Sequence, residues 1–102
     1  MRQLQHNLKT KVLNRIGERW EPNEEFRLTN RFNRGMRVEI MCKVHRRDVG
    51  GIVSRLERLG LVINTGCKLI RKDNHKLFMT YNDVTDIKIK INTYIFDKLG
   101  RV

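Results

Sequence analysis

The spacing of hydrophobic positions along this chain changes several times, and each change predicts an element. Leu4, Leu8, Val12 and Ile16 recur every four residues, the interval of a single helical stripe. Residues 2–19 are therefore expected to form an amphipathic helix, with Arg2, Lys9, Lys11, Arg15 and Arg19 on its other faces. Pro22 disfavours helix at the residue before it and closes that segment. From Met36 the period shortens to two. Met36, Val38, Ile40, Cys42 and Val44 face one way, and Arg37, Glu39, Met41 and Lys43 face the other. That alternation predicts a half-buried strand over 36–44. Asp48 then suits a helix N-cap, Ile52, Val53, Leu56 and Leu59 form the core side of a helix, and Gly60 stops it.

Residues 61–71 and 76–81 are expected to pair as a hairpin around the polar turn Lys72, Asp73, Asn74 and His75. The last segment satisfies two periods. Ile87-Lys88-Ile89-Lys90-Ile91 alternates as a strand would, while Val84, Ile87, Ile91, Ile95 and Leu99 form a helical stripe. Helix is favoured over 84–99, because Asn82 or Asp83 can cap its start and Gly100 can end it after Lys98. Ile89 and Phe96 then fall away from the stripe, exposed or in a second contact such as a homodimer. The predicted order is α-β-α-β-β-α in one domain: a basic helix at 1–20, a connector at 21–35 that is first acidic and then arginine-rich, and a core at 36–102.

The β-α-β-β-α part of this order resembles most of a ferredoxin-like (split βαβ) domain. The expected fold class is α+β, an N-terminal helix followed by a ferredoxin-like unit with a small antiparallel sheet. The run Asp48-Val49-Gly50-Gly51-Ile52-Val53, with Leu59-Gly60-Leu61-Val62-Ile63 after it, resembles the helix and second strand of ACT-type regulatory domains. The likeness is one of fold, with Gly50 where that family usually has proline. It implies a third-ranked function, sensing a small ligand at the Gly50-Gly51 turn.

Charge changes the picture most. The 102 residues hold 22 Lys+Arg against 11 Asp+Glu, a formal net charge of +11. Such an excess draws anionic partners, nucleic acid foremost, because neutralising phosphates releases counterions. The charge is uneven: WEPNEEF at 20–26 carries three acids and no base, whereas Arg27 to Arg58 holds nine bases against three acids. No run approaches the ~20 apolar residues of a membrane span, so no membrane partner is expected. Two cysteines and no apolar leader suggest a reducing, cytoplasmic setting.

Three clusters are candidate contacts to nucleic acid. FRLTNRFNRGMR supplies Arg27, Arg31, Arg34 and Arg37 with Phe26 and Phe32 beside them. Arginine bridges phosphate oxygens or stacks on bases, and phenylalanine offers a face to an unpaired base. The competing use of Phe26, Leu28 and Phe32 is to anchor the connector to the core. His45-Arg46-Arg47 stands before Asp48 and Gly50-Gly51 at a helix start, where backbone N–H groups favour a phosphate. Tight packing is the other reason for two glycines there. Lys68, Arg71, Lys72, His75 and Lys76 surround the predicted hairpin turn, where a solvated tip is equally ordinary. With 13 arginines to 9 lysines, RNA is favoured over DNA, Tyr81 adding a third stacking face.

Other chemistries have thinner support. Cys42 and His45 with Cys67 and His75 offer the ligand types of a zinc site, but their placement in predicted strands and turns favours two small buried thiols, so no metal and no cofactor is expected. The acids are scattered, and a histidine pair (His45, His75) leaves only a metal-independent ribonuclease as a catalytic option. No catalytic residue is assigned. The alternative to nucleic-acid binding is a small inhibitor or adaptor, of the kind viruses and mobile elements encode. It would contact an acidic surface of a nuclease, toxin, polymerase or ribosomal partner.

Overall fold

The computed structural model describes residues 9–100. In chain order the elements after residue 20 are α1 (Pro22–Asn33), α2 (Val38–His45), α3 (Val49–Arg58), β1 (Val62–Asn64), β2 (Lys68–Arg71), β3 (Leu77–Thr80) and α4 (Tyr81–Gly100). The class is α+β, with a small three-stranded antiparallel sheet in the order β1-β2-β3. No helix among the described residues is long and apolar enough to cross a membrane.

The strand expected at 36–44 is instead helix α2. Val38, Met41, Cys42 and His45 are its buried residues, and they follow the i, i+3, i+4, i+7 spacing of a helical face. Alternation places Met41 on the solvent side; it is wholly buried, while Val44 is exposed. Without that strand, no β-α unit leads into the sheet, so the ferredoxin-like order is not what these elements make. The connector also becomes a helix. Pro22 sits in the first turn of α1, where its missing N–H has no intrahelical partner to lose. Glu24 and Glu25 lie at the positive end and Arg31 in the last turn.

Near the N-terminus, residues 9–12 are helical and 14–17 form turns, so the helix expected over 2–19 ends before Gly17, whose φ is +78°. Leu4 and Leu8 of its stripe lie outside the described residues, while Val12 and Ile16 pack against the core. The α3 boundaries match expectation. The Asp48 carboxylate accepts from the Gly51 N–H at 2.9 Å, and Gly60 follows the helix at φ +74°. Residues 61–71 are not one strand. Asn64 Oδ1 accepts from the Gly66 N–H, Gly66 takes φ +94°, and the chain reverses so that Ile63 pairs with Ile70.

The final segment is a helix, with Val84, Ile87, Ile91, Ile95 and Leu99 all in or against the core. Its cap is neither Asn82 nor Asp83 alone. The Thr80 hydroxyl accepts from the Asp83 N–H at 3.1 Å, and the Asp83 carboxylate accepts from the Thr80 N–H at 2.9 Å, a reciprocal capping box. One core unites the elements: Leu28 and Phe32 of α1, Val38, Met41 and Cys42 of α2, Val49, Ile52 and Leu56 of α3, Val62, Leu69 and Met79 of the sheet, and Ile91 and Ile95 of α4.

Candidate nucleic-acid interface

Helices α2 and α3 are joined by the three residues Arg46, Arg47 and Asp48. Two packed helices linked by three residues have the connection length shared by helix-turn-helix units and αα-hairpins. The turn is made by Arg46, which adopts the left-handed conformation at φ 56° and ψ 43°. The Arg47 N–H then returns to Cys42 O at 3.0 Å, and Arg46 O accepts from the Arg15 N–H at 3.0 Å. The three-stranded meander follows α3 directly.

Beneath the turn lies a buried ionic network. Glu24 enters the interior on the same face of α1 as Leu28 and Phe32, because positions four apart share a helix face. Its carboxylate accepts from Arg47 Nε at 2.9 Å, Arg47 Nη2 at 2.8 Å and Arg15 Nη2 at 2.8 Å. His45 Nδ1 stands 3.1 Å from Oε2, and Arg31 Nη1 stands 3.0 Å from the other ring nitrogen of His45. Arginine can only donate, so Nε2 accepts and the proton sits on Nδ1, directed at Glu24. His45 is therefore neutral. Burial pushes its pKa down, opposed by its hydrogen bond to Glu24. Burial alone would raise the Glu24 carboxyl, but hydrogen bonds from Arg47, Arg15 and His45 outweigh it and hold the group at about 2. Arg47 also donates to the carbonyls of Arg15, Glu18 and Arg19, and its guanidinium lies 4.0 Å from the Trp20 ring centre.

The structure divides the predicted contact residues into three groups. Arg47 and Phe32 are buried: Arg47 is spent on Glu24, and Phe32 packs in the core beneath Arg71, whose guanidinium lies 4.2 Å from its ring centre. Both side chains are almost wholly enclosed in this fold, so little of either is offered to a ligand. Arg31 and Arg71 are half-buried and engaged, with His45 and with Asp73 respectively. Arg27, Arg34, Arg37, Arg46, Lys68, Lys72, Lys76 and Phe26 are exposed.

These exposed groups are distributed over α1, the α1–α2 connection, the α2–α3 turn and the β2–β3 hairpin. Arg27 and Arg31 both bear electrostatically on His45, at the end of α2 beside Arg46. Lys72 lies near Gly60 and Asn33, and Arg37 lines a groove of about 370 Å³ with Arg71, Phe78, Asp83 and Lys90. Lys68 begins β2 whereas Lys72 and Lys76 adjoin its other end, so the lysine cluster expected around one turn is split along a strand. The α3 N-terminus is also occupied from within. The Asp48 carboxylate fills it, and a Cβ on Gly51 would stand 3.1 Å from Asp48 Oδ1, so the glycine makes room for the cap.

Sequence reasoning missed Glu24, Arg15 and Trp20 as the partners of the turn. The available signal was the i, i+4, i+8 series Glu24, Leu28, Phe32, visible once α1 is read as a helix. It also passed over the outward ridge of α3, where Gly50, Ser54 and Arg58 are exposed at successive turns. Arg55 beside that ridge pairs with Glu25 at 3.3 Å. Of the thiols, Cys42 is buried and pushed up to about 12 by desolvation, whereas Cys67 is exposed in the β1–β2 turn, contrary to its reading as a buried hydrophobe. Among the described residues, no group of three or more His, Cys, Asp or Glu is placed to hold a metal ion. No protein-family model, curated protein or solved structure matches the chain.

Proposed function

We propose that the protein binds nucleic acid through α2 and α3 acting as a helix-turn-helix unit, with duplex DNA as the target and α3 as the helix that enters the major groove. The observation that carries this reading is the three-residue connection between α2 and α3 in a chain of net charge +11. A major groove about 12 Å wide admits one α-helix. The ridge Gly50, Ser54, Arg58 suits that role because two of its three members are small enough for close approach and the third can reach a guanine edge or a phosphate. Arg46 in the turn and Lys68 at the start of β2 would hold flanking phosphates, fixing register without reading sequence.

RNA remains the second reading, on one observation: Phe26 is 68% exposed beside Arg27 on α1, a pairing suited to stacking on an unpaired base. Burial of Phe32 in the core takes away half of the aromatic surface on α1 that favours a single strand.

A mobility-shift titration with a random duplex and with single-stranded RNA of equal length, each over a salt series, separates the two. Duplex binding whose log K falls steeply with log salt, and which Arg58→Ala weakens while Phe26→Ala does not, is the expected result. Preference for the single strand with the opposite mutational pattern would transfer the site to α1. No shift with either, together with a stoichiometric acidic protein retained after nuclease treatment, would move the function to the inhibitor or adaptor class.

A further inference from the structure

The imidazole of His45 sits inside the ionic network, 3% exposed, with both nitrogens committed. Nδ1–H donates to Glu24 Oε2 at 3.1 Å, and Nε2 accepts from Arg31 Nη1 at 3.0 Å. Both partners come from α1, seven residues apart and so on one face of it. A protonated imidazole has two donors and no acceptor. The bond to Glu24 survives that change and gains charge. The bond from Arg31 does not, because two N–H groups on two cations would then face each other.

We infer that protonation of His45 expels the Arg31 side chain from this contact onto the outer face of α1, so that the pair is a pH-sensitive switch of the protein's accessible positive charge. Arg31 is the member free to move. It is half-buried in the last turn of α1, and among the described residues His45 is the hydrogen-bond partner of its guanidinium. His45 is held by Glu24, which is itself held by Arg47 and Arg15, and its ring lies 5.9 Å from that of Trp20. Outside, Arg31 joins Arg27 and Arg34, four residues before it and three after, both exposed.

The other groups around the ring leave this choice unchanged. Arg55 of α3 reaches the Trp20 ring at 5.4 Å and pairs with Glu25. Lys90 and Tyr94 of α4 meet Glu39 and Lys43, which precede His45 on α2. Glu24 does not take the proton first, since its carboxyl is held at about 2. Burial lowers the His45 pKa from 6.5, Glu24 opposes it, and Arg31 and Arg27 lower it further. Arg31 is therefore held inward at pH 7 and released below pH 6.5.

Nuclear magnetic resonance on the whole protein, from about pH 7.5 to 4, tests the switch. The His45 ring protons, assigned by their loss in His45→Gln, and the Arg31 Nε–H signal should shift with one midpoint while far-ultraviolet circular dichroism stays constant. Arg31→Leu should raise the His45 midpoint by roughly one pH unit, because an opposing charge and a donor to Nε2 are both gone. Arg31→Lys, which keeps a charge and a donor, should hold it near the parent value. Polyphosphate, which carries no base, reads the surface. At fixed ionic strength its affinity should gain several-fold more across the titration in the parent than in Arg31→Leu, since the two share every carboxylate that titrates there. The switch does not rest on the nucleic-acid reading, and loss of duplex binding would leave the titration as it is. An Arg31 signal indifferent to the His45 midpoint, a midpoint unmoved by Arg31→Leu, an equal gain for polyphosphate in both proteins, or unfolding of the parent at that midpoint would overturn the inference.

Discussion

Arg46 and Arg47 are consecutive in the chain, yet their surroundings differ as widely as this fold permits. Arg47 is 3% exposed and makes five hydrogen bonds: two to Glu24 and one each to the carbonyls of Arg15, Glu18 and Arg19. Those five bonds match the five N–H groups of a guanidinium. Arg46 points to solvent and contributes its backbone, not its charge, to the turn. The same residue type thus serves as a structural staple at one position and as free positive charge at the next. A net charge of +11 therefore overstates what a ligand can meet, because the network retains part of it for holding α1, the turn and residues 15–19 together.

The largest effect should come from the buried member. Arg47→Ala leaves Glu24 inside the protein with two of its four bonds gone, and removing one partner of a buried ion pair typically costs about 3–5 kcal/mol. Arg47→Lys should recover little of this, since an ammonium cannot reproduce a planar fork with five donors. Urea unfolding monitored by circular dichroism measures it. A midpoint for Arg47→Ala near that of the parent would mean that the network contributes no more than a surface pair.

Acid should undo the same network next. The Glu24 carboxyl is held at about 2 against an ordinary value of 4.5, so folding favours its charged form. Its contribution is present above pH 4.5 and is lost as pH falls from there toward 2, at most about 3 kcal/mol. His45 works in the same direction from a higher pH. Its folded pKa is lowered from 6.5, so the unfolded chain takes up the proton first and stability begins to decline below about pH 6.5. Thermal melts from pH 7.5 to 3 should show a shallow decline followed by a steeper one. A melting temperature unchanged between pH 5 and 3 would contradict the assignment of Glu24 as a buried, charged acceptor.

The contrast between the two arginines also marks what a sequence can disclose. Helix α3 and the last helix are legible because local chemistry marks them: Asp48 and Gly60 bound the first, and Asp83 caps the start of the second, which is still helical at Gly100. Residues 36–44 mislead because nine residues satisfy two periods at once, and alternation puts Met41 on the wet face when it fills the core. The candidate site is less legible than the fold. Arg46 and Arg47 look alike in the string, and what separates them is Glu24, 23 residues earlier, with no local signal linking the two. Phe32 misleads for a related reason: its role depends on α1 being a helix that turns it inward with Leu28.

The smallest effect on stability, and the sharpest on function, belongs to Arg46. Its guanidinium is exposed and its left-handed backbone stays as strained with glutamine as with arginine, so Arg46→Gln should change the unfolding free energy by no more than about 0.5 kcal/mol. If the turn lies against a phosphate backbone, the same change removes one released counterion. Affinity should fall several-fold at moderate salt, equally for every duplex sequence, and the slope of log K against log salt should decrease by about one. Arg58→Ala offers the contrast within the interface, since removing a hydrogen bond between the α3 ridge and a base edge lowers affinity for some sequences more than for others. Should Arg46→Gln leave both affinity and slope intact, the turn does not face the ligand, and the exposed cations of α1 become the surface to examine.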